Sequence, residues 1–206
     1  MSWQRLGLFG GLLSPLLWLG LIAVAGAITP HFDHATHYIS ELAARGSATE
    51  MWMRVAAFGF TGFLYVCFAA ALSATMPRTW VVLMACALIA VEGFGRMGAG
   101  VFACDPGCVR MSSTQDTHKL FATIGFVSGI IAALLWGVLF RGLTRFERLS
   151  PASIVCGLIA AVALILMSWD ANPLHRPGFF EHLATVALSV WIFLFAVAAL
   201  RHDARY

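Results

Sequence analysis

The chain has 206 residues, of which 60% are hydrophobic and 11% charged, with a formal net charge of +3 and a mean hydropathy of +0.84. These values exclude a soluble globular domain, and at about 20 apolar residues per crossing the length admits at most about seven membrane spans and no sizeable extramembrane domain. The small positive charge gives no argument for nucleic acid, because membrane proteins carry excess Lys and Arg on their cytoplasmic loops.

In chain order, apolar segments occupy 6–28, 53–72, 80–103, 120–140, 154–169 and 183–200. A backbone in lipid must satisfy its own hydrogen bonds, and these runs are too long and too unalternating for barrel strands. The expected fold is therefore an all-α, polytopic bundle of six transmembrane helices forming one domain, multi-pass in the cell (inner) membrane. Trp3, Trp52, Trp80 and Trp169 stand at segment ends, as in an interfacial aromatic belt. Pro15 predicts a kink in the first segment. That segment follows Arg5 and ends on the small residues AVAGA, but it is too long for a cleaved signal region and is expected to remain as a span.

With a cytoplasmic N-terminus, that side carries Arg5, Arg78, Arg141, Arg145, Arg148, Arg201 and Arg205, against Arg45, Arg54, Arg110, Lys119 and Arg176 on the other. The bias of seven to five, with Arg141, Arg145 and Arg148 in one short loop, places both termini in the cytoplasm. It also gathers His31, His34, His37, His118, His175 and His182 on the outer face, with Asp33, Glu41, Glu50, Asp105, Asp116, Asp170 and Glu181.

The densest polar stretch on that face is HFDHATHYISE, residues 31–41. If helical after Asp33, it sets His34, His37 and Glu41 on one helix face. Ser113 and Asp116 have capping-box spacing at the start of the fourth helix, with His118 close behind, and Glu181 and His182 open the sixth. Neutral imidazoles are zinc ligands, and a catalytic zinc needs three protein ligands and a water. His37, His118 and His182 are the candidate ligands, with Asp116 or Glu41 as supporting acid or general base. The alternative reading is a set of interfacial histidines hydrogen-bonded in loops. Ser40 has His37 one turn before it, but no oxyanion hole can be assigned to it.

Within the third segment, VEGFGRMGAG sets Glu92 four residues before Arg96, the favourable order for a helical ion pair. Arg96 lies about 10 Å below the outer end at 1.5 Å per residue, a depth where charges face the bundle interior or a watery cavity. The pair is either structural or the polar contact of a lipid or ligand pocket. Gly93, Gly95, Gly98 and Gly100 permit close helix approach. Cys104 and Cys108 bracket the tight turn CDPGC and are placed for a disulfide in an oxidising compartment. Cys67, Cys86 and Cys156 read as small core residues.

Three passages carry a family resemblance: HYISELAARGS after the first segment, GAGVFACDPGC followed by His118, and the closing FFEHLATVALSVWIFLFAVAALR. Together they resemble the DUF998 family of six-helix membrane proteins. The resemblance implies one six-helix domain and marks Ser40, Glu41, Asp105, Pro106 and His118 as positions matching family patterns. The chain departs from those patterns at Ala43, where glycine is usual, at Ala103-Cys104, which replaces a Phe-Pro step, and at His182, which replaces an arginine. The family lends a fold and a site location but no reaction.

Two functions from different classes fit this pattern. One is a zinc-dependent hydrolase acting on a lipid-like substrate at headgroup level. The other is a non-enzymatic membrane module that binds a lipid, a quinone, a partner subunit or a second copy of itself, with Glu92 and Arg96 contacting a polar group. The first requires His37, His118 and His182 to converge; the second requires a pocket near Arg96. An ion-coupled transporter is a third reading, weakened by the lack of an internal repeat.

Overall fold

The structure is a computed structural model that describes residues 2–169 and 173–203. Asp170 and Arg205 lie outside the described residues. Six helices are long and apolar enough to cross a membrane: α1 (Trp3–Ile28), α2 (Glu50–Thr75), α3 (Trp80–Val101), α4 (Ser113–Phe140), α5 (Ser150–Ser168) and α6 (Pro177–Asp203). The described residues contain no strand. Successive helices are neighbours, each packing on the next. The ring closes where α6 returns to α1.

Large apolar side chains such as Leu16, Val24, Phe63, Met84, Phe94, Ile131, Val155 and Ile165 point outward on every helix but α6, which contributes Val186 and Leu194. That outward girdle is what lipid requires of a bundle. The interior differs between its two ends. At the end holding the 140–150 loop, Phe195 of α6 gathers Trp136 (4.7 Å), Phe140 (4.8 Å) and Phe68 (5.6 Å) into an aromatic cluster. Edge-to-face rings at these separations fill space and add pairwise attraction.

At the opposite end, two loops form a lid. The first contains a short 3₁₀ turn, Ile39–Ala43, which buries Ile39 and Leu42 against Trp18, Ile22, Met53 and Phe58. The second, residues 102–112, is tied down by Asp105. Its carboxylate accepts the N–H of Met111 (2.8 Å) and of Ser112 (2.7 Å), and Arg45 from the first loop pairs with it. The Asp105 N–H in turn donates to Gln115 at 2.8 Å. In CDPGC, Gly107 (φ 64°) and Cys108 (φ 52°) are both left-handed, a reversal that only a glycine enters without strain at its first position. Cys104 and Cys108 are joined by a disulfide, with their Cα atoms 5.1 Å apart.

Two local expectations from the sequence are corrected. The segment after Asp33 is a turn, because the Asp33 carboxylate accepts from the Ala35 N–H (2.9 Å) and the Thr36 hydroxyl (2.9 Å) and so holds the chain out of a helix. Ser113 and Asp116 form no capping box. Ser112 is the N-cap, and Asp116 faces Arg110, which donates to both of its oxygens at 2.8 Å.

Helix α2 contains a π-helical stretch, Met53–Phe60. Such stretches are rare and concentrate at functional sites. Here Thr61 follows it with its hydroxyl turned back to the Ala57 carbonyl, while Ser14 of α1 donates to the Thr61 carbonyl at 2.9 Å. Arg54 reaches across to the last carbonyls of α3, Gly100 (2.8 Å) and Val101 (2.9 Å), and satisfies that helix end. The result fixes α2 against α3 directly beside Arg96.

Candidate functional site

Under the lid lies a narrow cavity of about 50 Å³, room for a few ordered waters at about 10–15 Å³ each. Its wall combines apolar groups (Trp18, Phe58, Ala122, Phe126, Leu188) with polar ones (Ser40, Glu92, Arg96, His118, Glu181, Thr185). Each comes from a different part of the chain: Trp18 from α1, Ser40 from the lid turn, Phe58 from the π stretch, Glu92 and Arg96 from α3, His118 from α4 and Glu181 from α6.

Arg96 occupies the deep end. Its guanidinium carbon lies 4.3 Å from the Trp18 ring and 4.5 Å from the Tyr65 ring, so the cation is held between two aromatic faces. One N–H reaches the Thr61 hydroxyl at 3.3 Å, and Glu92 stands at 3.7 Å, an ion pair longer than a hydrogen bond. The side chain is only 11% exposed, yet most of its five N–H donors have no protein acceptor among the described residues. Glu92 itself is buried with one oxygen, Oε2, unpartnered. The carboxylate fits because α4 offers Gly129 there. A Cβ at that position would lie 2.7 Å from the Glu92 carboxyl carbon.

The upper end is acidic and rich in acceptors. Glu181 is 9% exposed, and its Oε2 accepts the Ile39 N–H at 2.6 Å, tying α6 to the lid turn. His118 is buried with Nδ1 at 2.9 Å from the carbonyls of both Ala99 and Phe102. Nδ1 must therefore carry the proton, which leaves Nε2 as an acceptor. The Ser40 oxygen lies 3.1 Å from the Cys108 sulfur. A disulfide sulfur has no proton to give, so the serine hydroxyl is the donor and its lone pairs stay free.

The remaining sequence candidates lie elsewhere. Glu41 accepts the Tyr38 N–H at 2.8 Å and caps its own turn. The His37 Nδ1 accepts the Asp33 N–H at 3.0 Å while its ring stacks on Phe32. His182 follows Glu181 on a helix and so points about 100° away from it. Its Nδ1–H donates to the Gly178 carbonyl (2.8 Å), and its Nε2 accepts from His34 Nδ1 at 2.8 Å. This histidine pair rims an open groove on the lipid side of the α1–α6 seam, lined by Leu19, Ile22, Ala23, Gly26 and Val186. Asp116 is exposed and held by Arg110. The expected zinc ligands His37, His118 and His182 are not brought together: among the described residues no three His, Cys, Asp or Glu side chains are placed to hold a metal.

Outside the spans, the electrostatics favour a closed lid. Burial acts to raise the Asp105 carboxyl, but the Met111 N–H, the Ser112 hydroxyl and N–H, and Arg45 outweigh it and hold it below the usual carboxylate range. The Ala35 N–H and the Thr36 hydroxyl do the same for Asp33. Trp18 and Tyr65 are site residues that the sequence did not single out, and Glu181 was noted at the opening of the last helix but given no role. A tryptophan in the middle of a span, away from the interfacial belt, is the one signal that points to Trp18.

The arrangement from the ISEL turn through the CDPGC loop and His118 to the first turn of α6 coincides with the passages that bear the family resemblance. The model of the family described as a protein of unknown function (DUF998) matches residues 12–198. The chain belongs to the DUF998 family. No curated protein and no solved structure matches it. The DUF998 match reaches all six helices and covers both lid loops, so every wall of the cavity lies within the family region.

Proposed function

We propose that the protein is a membrane-embedded binding module whose cavity takes the small polar end of a membrane-borne amphiphile. The observation that carries this reading is Arg96: a guanidinium about one and a half helical turns from the end of α3 at Val101, held in place by two aromatic rings, with donors left over toward an internal space. Charged groups at such depth are costly and are retained where they serve a polar pathway or ligand. Glu92 stands 3.7 Å from Arg96 with Oε2 unpartnered, so the pair keeps capacity for a further polar contact.

The route supported by the architecture is lateral. The α1–α6 seam separates the cavity, walled by Trp18 and Leu188, from the groove that lines the lipid side at Leu19, Ile22 and Val186. An amphiphile can keep its chain in the bilayer and present only its head. Photolabelling with diazirine-bearing alkyl amphiphiles in liposomes tests this. Label is expected on peptides covering Trp18–Ile22 and Glu181–Leu188, and label confined to the outward girdle of α3, α4 and α5 sinks the reading.

A further inference from the structure

Resting on that reading, the charge and hydrogen-bond inventory of the cavity identifies the head group. At the deep end Arg96 and Glu92 face each other and sum to zero charge. At the upper end Glu181 has no such partner. Among the described residues no Arg, Lys or His lies within ion-pair distance of it, and its charged neighbour in the lid turn is Glu41, of the same sign. Its Oε2 accepts the Ile39 N–H, and the carboxyl lines the cavity. A buried carboxylate without a counter-charge is costly, and a group of opposite charge delivered to it relieves that cost.

Of the polar groups that share this cavity with Glu181, His118 and Ser40 present acceptors, and the Thr185 hydroxyl can accept as well as donate. His118 turns the lone pair of Nε2 to the remaining space because Nδ1–H is spent on two carbonyls. Ser40 spends its proton on the Cys108 sulfur and keeps its oxygen lone pairs. The wall therefore offers a buried acid that an incoming cation would hold in its ionised form, beside the acceptor atoms of His118 and Ser40, in a volume suited to a group the size of a few waters.

We infer that the cavity binds the protonated primary amine of a membrane-borne amphiphile, with Glu181 as its counter-ion and His118 Nε2 and the Ser40 oxygen as its further acceptors. A primary ammonium has three N–H donors and no acceptor, which matches that wall group for group. A carboxylate or phosphate head could accept from Arg96, but it would bring a further acid or anion beside the two carboxyl groups, Glu92 and Glu181, that share the cavity with that single cation. A neutral alcohol or carbonyl brings no charge to hold the buried Glu181 in its ionised form. Bulky quaternary heads exceed the space and have no N–H to give.

The experiment uses the full chain in a non-ionic detergent and follows its melting temperature against decylamine, N-acetyldecylamine, decanol and decanoate. Decylamine is expected to raise the melting temperature in a saturable way, and the other three, matched in chain, are not. Glu181→Gln keeps the acceptor for the Ile39 N–H and is expected to need at least about 30-fold more decylamine for the same shift, the usual consequence of removing one partner of a buried charged pair. The N-acetyl compound removes the charge from the ligand instead, so the test stands even if that variant folds poorly. Ala122→Phe, which fills the cavity without touching its charges, is expected to abolish the response. Equal stabilisation by decanol or decanoate, or an unchanged response in a folded Glu181→Gln, overturns the amine assignment alone. A decylamine response that survives Ala122→Phe, or no response to any compound, overturns the cavity reading with it.

Discussion

Replacing Arg96 by methionine removes the guanidinium while keeping much of the stem between Trp18 and Tyr65. Two losses follow. Glu92, buried on Gly129, is left without its counter-charge, which costs about 3–5 kcal/mol when one member of a buried pair is removed. The stacking on two desolvated rings is also lost, worth about 2 kcal/mol. Arg96→Met alone should therefore destabilise by about 5–7 kcal/mol on these two figures. Glu92→Gln in the same background removes the orphaned charge and should recover most of the first loss, leaving about 2 kcal/mol from the second. The assay is reversible unfolding in mixed micelles, run as a double-mutant cycle. If the two single losses simply add in the double variant, Glu92 and Arg96 are not coupled and the reasoning fails.

Gly129→Leu sets a Cβ 2.7 Å from the Glu92 carboxyl carbon, so overpacking should cost about 1–3 kcal/mol; pairing it with Glu92→Ala should restore stability in the same unfolding assay, and no rescue would show that α4 does not seat Glu92. Converting Cys104 and Cys108 to serine should raise amide exchange in residues 39–43 and 102–112, while the spanning helices stay protected. Equal loosening of the helices would contradict a role confined to the lid. Asp105 is held below its ordinary range, so its contribution is fully present above the ordinary carboxylate value and is lost as pH falls through the lower folded one. Limited proteolysis between Phe102 and Ser112 should therefore stay slow down to the usual carboxylate range and accelerate only in stronger acid. Cutting that accelerates nearer neutrality would refute this anchoring.

The six helices were legible because hydrocarbon imposes long apolar runs: four expected segments each fall within one observed helix, while 80–103 and 154–169 overrun the ends of α3 and α5, at Val101 and Ser168. The lid-side boundaries were less so. Helix α4 begins at Ser113 and α6 at Pro177, six or seven residues before the apolar runs at 120 and 183. Polar residues such as Asp116, His118, Glu181 and His182 lower hydropathy there without interrupting helical hydrogen bonding. Spacing alone isolated Glu92 and Arg96, since four residues bring two side chains together on any helix. The zinc triad failed for a reason that one dimension hides. His182 turns to His34 and the groove, whereas its chain neighbour Glu181 turns to the cavity. Which of two adjacent residues faces inward depends on how α6 closes onto α1.

The central claim is that the cavity beneath the lid holds the polar end of an amphiphile. Native mass spectrometry of the protein released from mild detergent, wild type beside Ala122→Phe, tests it most directly. The account predicts a bound species of defined mass on the wild type, retained at activation energies that strip annular lipid and missing from the filled variant. An identical set of adducts on both proteins would contradict it.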